Sequence, residues 1–116
     1  MENFEVLRED KSDVSILRLQ GFLDAHTAPK FEKAIQQLLS ENRFKLIVSM
    51  TNLNYISSAG LGVFMGFIEE VRKNNGDIKL SNLSPKVFKV FDLLGFPALY
   101  DIFSDEAEAQ DKFLSK

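Results

Sequence analysis

Ser57 and Ser58 are the residues of this 116-residue chain best placed to carry chemistry, in the stretch Tyr55-Ile56-Ser57-Ser58-Ala59-Gly60-Leu61-Gly62. They stand where an extended segment should turn into a helix, and a helix start leaves backbone N–H groups unpaired and attractive to anions. A phosphate on Ser58 would bring about −1.5 to −2 charges to such a place. Gly60, Gly62 and Gly66 are half of the six glycines in the chain, and each costs roughly 1 kcal/mol relative to alanine inside a helix. Close approach of another molecule is the simplest compensation. The plainer use of either serine is as an N-cap, worth about 1 kcal/mol. Capping alone leaves the glycines of the exposed face, Gly62 and Gly66, without a purpose.

The other chemical candidates are sparse. Asp24 follows a strand and precedes a helix, where it can cap Ala25 to Thr27 or touch a partner. His26 is the only histidine; with no carboxylate cluster near it in sequence, it reads as a loop residue and not as a metal ligand or proton relay. A serine hydrolase fails on motif: neither serine lies in Gly-x-Ser-x-Gly, and the sole histidine precedes both. No Gly-x-x-x-x-Gly-Lys-Ser/Thr loop is present. Without cysteine there is no disulfide, thiol catalysis or cysteine-bound metal. No cofactor is expected.

A net charge of −3 with scattered basic residues argues against direct nucleic-acid binding. Met1-Glu2-Asn3-Phe4-Glu5 has no basic leader, and the longest apolar stretch, Leu61 to Ile68, falls far short of the roughly 20 residues of a membrane span. The expectation is a cytoplasmic protein of one domain over residues 1–116, its core built largely from eleven phenylalanines.

Elements able to position the serines follow from periodicity. Phe4 to Leu7 and Val14 to Leu19 read as a hairpin around Asp10-Lys11-Ser12-Asp13, its second strand central. Thr27 can cap a helix with Pro29 in its first turn and Phe31, Ile35, Leu38 and Leu39 on its apolar face. Lys45 to Ser49 is a short buried strand. A helix follows from about Ser58 to Asn74, closed by Asn75-Gly76; its apolar arc holds Leu61, Phe64, Met65, Ile68 and Val71, while Gly62, Gly66, Glu69 and Lys73 lie opposite. Ile78 and Leu80 mark the next strand. Ser84-Pro85 opens a third helix, stopped by Gly95 and Pro97, with Val87, Val90, Phe91 and Leu94 on one side and Phe88 and Leu93 expected to reach the core from its margins. Leu99 to Phe103 reads as a short peripheral strand, and Ser104-Asp105-Glu106 caps a last helix. The sum is an α/β fold: a mixed, mainly parallel sheet of four to five strands covered by about four helices, the first strand antiparallel.

With these elements placed, the chain resembles the STAS domain family, and within it the bacterial anti-sigma factor antagonists. In that family a phosphoacceptor opens a helix in a motif close to Asp-Ser-Ser/Ala-Gly-Leu-Gly. Tyr55 to Gly62 matches it and places the acceptor on Ser58. An upstream Gly-x-Leu-Asp element is matched by Gly21-Phe22-Leu23-Asp24. One departure stands out: Ser57 replaces the acidic residue common before the acceptor, which makes Ser57 the alternative site.

The resemblance implies a partner switch and a protein that is a kinase substrate and not an enzyme. The unmodified domain would bind an anti-sigma factor serine kinase through Asp24, Ser57, Ser58, Gly60, Gly62 and Gly66, and so free a sigma factor. Phosphorylation would end the contact, and a PP2C-type phosphatase would restore it. The same scaffold permits a second role, as a subunit of a lipid-transport ATPase or of a chemosensory or stressosome-like assembly.

Overall fold

The computed structural model describes residues 4–114. Met1 to Asn3, part of the opening segment read above, lie outside the described residues, as do Ser115 and Lys116. β1 (Phe4–Lys11) and β2 (Val14–Leu23) form the antiparallel hairpin. β2 pairs in parallel with β3 (Lys45–Ile56), β3 with β4 (Asp77–Ser81) and β4 with β5 (Ile102–Phe103), in the order β1-β2-β3-β4-β5. α1 (Ala28–Ser40), α2 (Ser58–Lys73) and α3 (Pro85–Leu93) share the main core with one face of this sheet, and α4 (Glu106–Leu114) packs on the other. The expected mixed sheet, its antiparallel first strand and its four helices are all present.

The main core is aromatic at its centre. Phe64 meets Phe31, Phe91 and Tyr100 edge to face at 5.1, 5.7 and 6.2 Å between ring centroids. Burial pushes the Tyr100 phenol up to about 12. Each fully buried large apolar side chain contributes roughly 1.5–3 kcal/mol before chain entropy is subtracted. α4 is held more electrostatically. Glu106 accepts two hydrogen bonds from Arg18, at 2.9 and 2.8 Å. Lys79, buried beneath it, pairs with Asp77 and Asp101 at 2.9 and 3.1 Å and sits 4.7 Å from the Phe113 ring centroid.

The starts of α3 and α4 and the end of α2 follow the sequence closely. The Ser84 hydroxyl accepts from the Val87 N–H at 3.2 Å at the start of α3. Asp105 accepts from the Glu108 N–H while the Glu108 carboxylate accepts from the Ser104 N–H, both at 2.9 Å, at the start of α4. Asn75, at φ 65°, makes the left-handed turn that ends α2, and the Gly76 N–H reaches back to the Val71 carbonyl at 3.0 Å.

Several expectations need correction. β3 continues seven residues past Ser49 to Ile56. Its later buried residues, Leu53 and Ile56, are three apart because the pairing with β2 shifts register between Arg18 and Gln20 and between Gly21 and Phe22. The last strand is shorter than read: a 3-10 turn occupies Phe96–Ala98, and only Ile102 and Phe103 pair with β4. Met65, Phe88, Leu93 and Leu94 are exposed. Phe88 lines a groove with Leu83, Pro85 and Phe103 beside β5.

Candidate functional site

The ends of β2 and β3 set the position of the two serines. Leu23 pairs with Ile56, and the next N–H, that of Ser57, donates to the Leu23 carbonyl at 2.9 Å. The chain therefore leaves the sheet with its direction fixed. Ser57 is extended, at φ −103° and ψ 174°, and its carbonyl accepts the first helical hydrogen bond, from the Leu61 N–H at 3.1 Å. Ser57 thus occupies the N-cap position, yet its side chain caps nothing: Oγ is sealed from solvent and has no hydrogen-bond partner.

Ser58 is the first residue of α2 and is exposed. It stands in the turn where the early N–H groups of a helix have no carbonyl to pair with, at the positive end of a sixteen-residue dipole. The two hydroxyls that the sequence left as alternatives are therefore unlike. One is closed off and the other faces solvent.

The glycines divide in the same way. A Cβ placed on Gly62 or Gly66 would meet nothing within 4 Å, so both leave bare backbone on the exposed side of α2. Gly60 differs from its expected place on the contact surface: it is buried, and a Cβ there would stand 2.7 Å from Leu23 Cγ and 3.1 Å from Ile56 Cγ1. At about 100° per residue it lies about 200° around the helix from Ser58, at the centre of the inward face. Gly60 lets α2 approach the strand ends; it presents nothing outward.

Asp24 serves its own loop. Its Oδ1 accepts from the His26 N–H at 2.9 Å and the Thr27 N–H at 3.1 Å. Thr27 is at the N-cap position of α1 but does not cap it. Its hydroxyl instead donates to the Phe22 carbonyl at 2.8 Å and accepts from the Asp24 N–H at 2.9 Å. This loop faces α2 across a shallow groove of about 270 Å³, walled by Ala25, Ala28, Ala59 and Gly62 and carrying Glu32. Among the described residues no group of three or more histidine, aspartate or glutamate side chains could hold a metal.

One feature beside the site has no counterpart among the candidates read from sequence. Phe22 and Tyr55, paired across β2 and β3, are both exposed with ring centroids 5.9 Å apart. They flank the strand ends that carry Asp24 and Ser57. Their strand positions were legible, but the register shift that brings them opposite each other was not.

A sequence profile described as "STAS domain" matches residues 5–109. The chain belongs to the STAS domain family. Its relatives include proteins named anti-sigma-B factor antagonist. That of Bacillus subtilis is 30% identical over 96 residues, covering 83% of this chain and 86% of its own. That of Listeria monocytogenes is 29% identical over 106 residues, covering 91% and 92%. Among solved structures, the anti-sigma factor antagonist SpoIIAA in its unphosphorylated form superimposes with a TM-score of 0.81 at 26% identity, covering 96% of each chain. The phosphorylated form of Bacillus SpoIIAA gives 0.73 at 25% identity, over 96% of this STAS chain and 99% of that one.

Proposed function

We propose that this STAS protein is a phosphorylation-controlled anti-sigma factor antagonist with Ser58 as its acceptor. The unmodified protein binds an anti-sigma factor that is also a serine kinase, and a sigma factor is released. Phosphorylation of Ser58 by that kinase breaks the contact, and a PP2C-type phosphatase restores it. The protein acts as kinase substrate and binding module, with ATP bound by its partner.

The observation that carries the choice of acceptor is the contrast between the exposed Ser58 and the sealed Ser57 Oγ. A kinase must bring its γ-phosphate in line with the attacking oxygen, which requires an oxygen it can reach. Once attached, the phosphate sits at the end of α2 that favours anions, so the free domain tolerates it. A docked partner does not, because closing the bare Gly62 and Gly66 surface over about two negative charges removes them from water. The relatives' names, and a homologous fold solved with and without phosphate, support this reading.

Incubation with the cognate anti-sigma kinase and ATP, followed by mass-spectrometric mapping, tests it. A single phosphate on Ser58 is expected. Phosphate on Ser57 alone would overturn the assignment.

A further inference from the structure

Tyr100 is 2% exposed, and its ring is fixed from several sides. It stacks on Phe96 at 5.3 Å, meets Phe64 edge to face, and carries the Arg72 guanidinium 5.7 Å over its face. Its hydroxyl has one partner among the described residues, the Met65 sulfur, at 3.9 Å. A thioether is a weak acceptor. A buried phenol is thus left without the full hydrogen bond that an oxygen would give it.

Met65 reads from sequence as a core residue, yet it is 48% exposed. Gly62, one turn earlier on the same side of α2, has no side chain to shade it. Met50, the other methionine among the described residues, has no exposure. A thioether that a small oxidant can reach is a site of sulfoxide formation. The 3.9 Å between Tyr100 Oη and Met65 Sδ exceeds an O–H···O hydrogen bond of about 2.7 Å by roughly the length of one sulfur–oxygen bond. An oxygen carried by that sulfur therefore comes within hydrogen-bond reach of the phenol, and the rotatable bonds of methionine let it turn there.

We infer that Met65 is a reversible oxidation site whose sulfoxide is held by the Tyr100 hydroxyl. Hydrogen peroxide is the oxidant. The sulfur attacks one peroxide oxygen, the O–O bond breaks as the S–O bond forms, and the other oxygen leaves as water, taking the proton of the transferred one. Sulfur loses two electrons and peroxide gains them. A methionine sulfoxide reductase with a dithiol reverses the step, releasing the oxygen as water and leaving a disulfide in the reductant. Oxidation of a methionine commonly disrupts packing because an apolar side chain becomes polar. At this position it tightens the fold: the half-exposed sulfoxide stays in contact with water and supplies the acceptor that Tyr100 lacks. The turn after α3, which holds Tyr100, is thereby tied more firmly to α2. The inference does not depend on Ser58 being the phosphoacceptor.

The test treats the full-length protein with hydrogen peroxide and follows it by mass-spectrometric mapping and thermal unfolding, beside Met65→Leu, Met65→Gln and Tyr100→Phe. Glutamine places a carbonyl oxygen where the sulfoxide oxygen stands, at nearly the helix propensity of methionine. Met65→Leu keeps Met1 and Met50 and so isolates the effect of residue 65. Circular dichroism establishes that each variant is folded. Oxygen is expected on Met65 and not on Met50, with a rise in the thermal midpoint of about 4 °C, the shift from one neutral hydrogen bond in a chain of this size. The reductase should return the midpoint to its starting value. Met65→Leu should show no shift with peroxide, and Met65→Gln should melt above the wild type without it. Combining Tyr100→Phe with either change should abolish the rise. A wild-type midpoint that falls or stays level on oxidation, a rise that persists in Tyr100→Phe, or oxidation of Met50 as fast as Met65 would overturn the inference. Should Tyr100→Phe fail to fold, Met65→Gln decides: a midpoint no higher than the wild type overturns it equally.

Discussion

Replacing the three α2 glycines by alanine, one at a time, separates a glycine kept for packing from glycines kept for access. Alanine in a helix interior is favoured over glycine by roughly 1 kcal/mol. Gly62→Ala and Gly66→Ala place their methyl groups in open space, so each should stabilise the fold by about 0.5–1 kcal/mol. Gly60→Ala places its methyl 2.7 Å from Cγ of Leu23, a side chain with no exposure and therefore no room to yield. Overpacking of this kind costs about 1–3 kcal/mol, which outweighs the propensity gain. The net is a loss of about 1 kcal/mol, leaving Gly60→Ala about 2 kcal/mol below Gly62→Ala. Urea unfolding reads this as a change in midpoint at constant slope, and a thermal midpoint moves by about 4 °C per kcal/mol in a chain of this size. Gly62→Ala should combine higher stability with weaker partner binding, since its methyl projects into the docking face. Equal stability of the Gly60 and Gly62 variants would refute the packing of α2 on Leu23. A Gly62 variant that binds as tightly as wild type would refute the role given to the bare surface.

Ser57→Ala removes a buried hydroxyl that satisfies nothing. The fold should be unchanged or more stable by about 1 kcal/mol, and kinase-dependent labelling should persist; loss of label would return Ser57 to candidacy. Asp24→Ala deletes the acceptor of two loop N–H groups and should cost about 1–2 kcal/mol in urea unfolding, with Asp24→Asn recovering part of it; a neutral alanine variant would free Asp24 from its structural role. For acid stability, hydrogen bonds from Arg18 hold the Glu106 carboxyl below its ordinary value of 4.5. A depressed carboxylate contributes stability that is fully present above the unfolded value and lost as pH falls through the folded one. Glu106→Gln should therefore flatten the acid limb of the stability profile below about pH 4.5, by about 1 kcal/mol for a pair this exposed; an unchanged acid limb would place the effect elsewhere.

The alternation of strands and helices was legible because each element carries its own period and its own caps: the apolar face of α1, the Ser84 cap and the acidic start of α4 all act locally. What escaped was set by neighbours. β3 looked short because Asn52 and Asn54 interrupt its apolar run, and its buried spacing of three arises only from register shifts against β2. Met65 lies about 40° beyond Leu61 on the helical wheel, so it counts as apolar arc in sequence, although the core stops short of it. Gly60 and Gly62 have the same residue type in the same motif, and only the approach of Leu23 tells them apart. The site shows the same division. The motif singled out a serine pair, whereas the path of the chain between Leu23 and Leu61 determined which hydroxyl faces solvent.

The most direct measurement is the affinity of the pure anti-sigma factor for unmodified protein, for protein phosphorylated stoichiometrically on Ser58, and for the same sample after phosphatase treatment. Burying a new, unmatched charge costs about 2–5 kcal/mol, so the phosphorylated form should bind on the order of a hundredfold more weakly or worse, and removal of the phosphate should restore the original affinity. Equal affinity of the modified and unmodified forms would contradict the account.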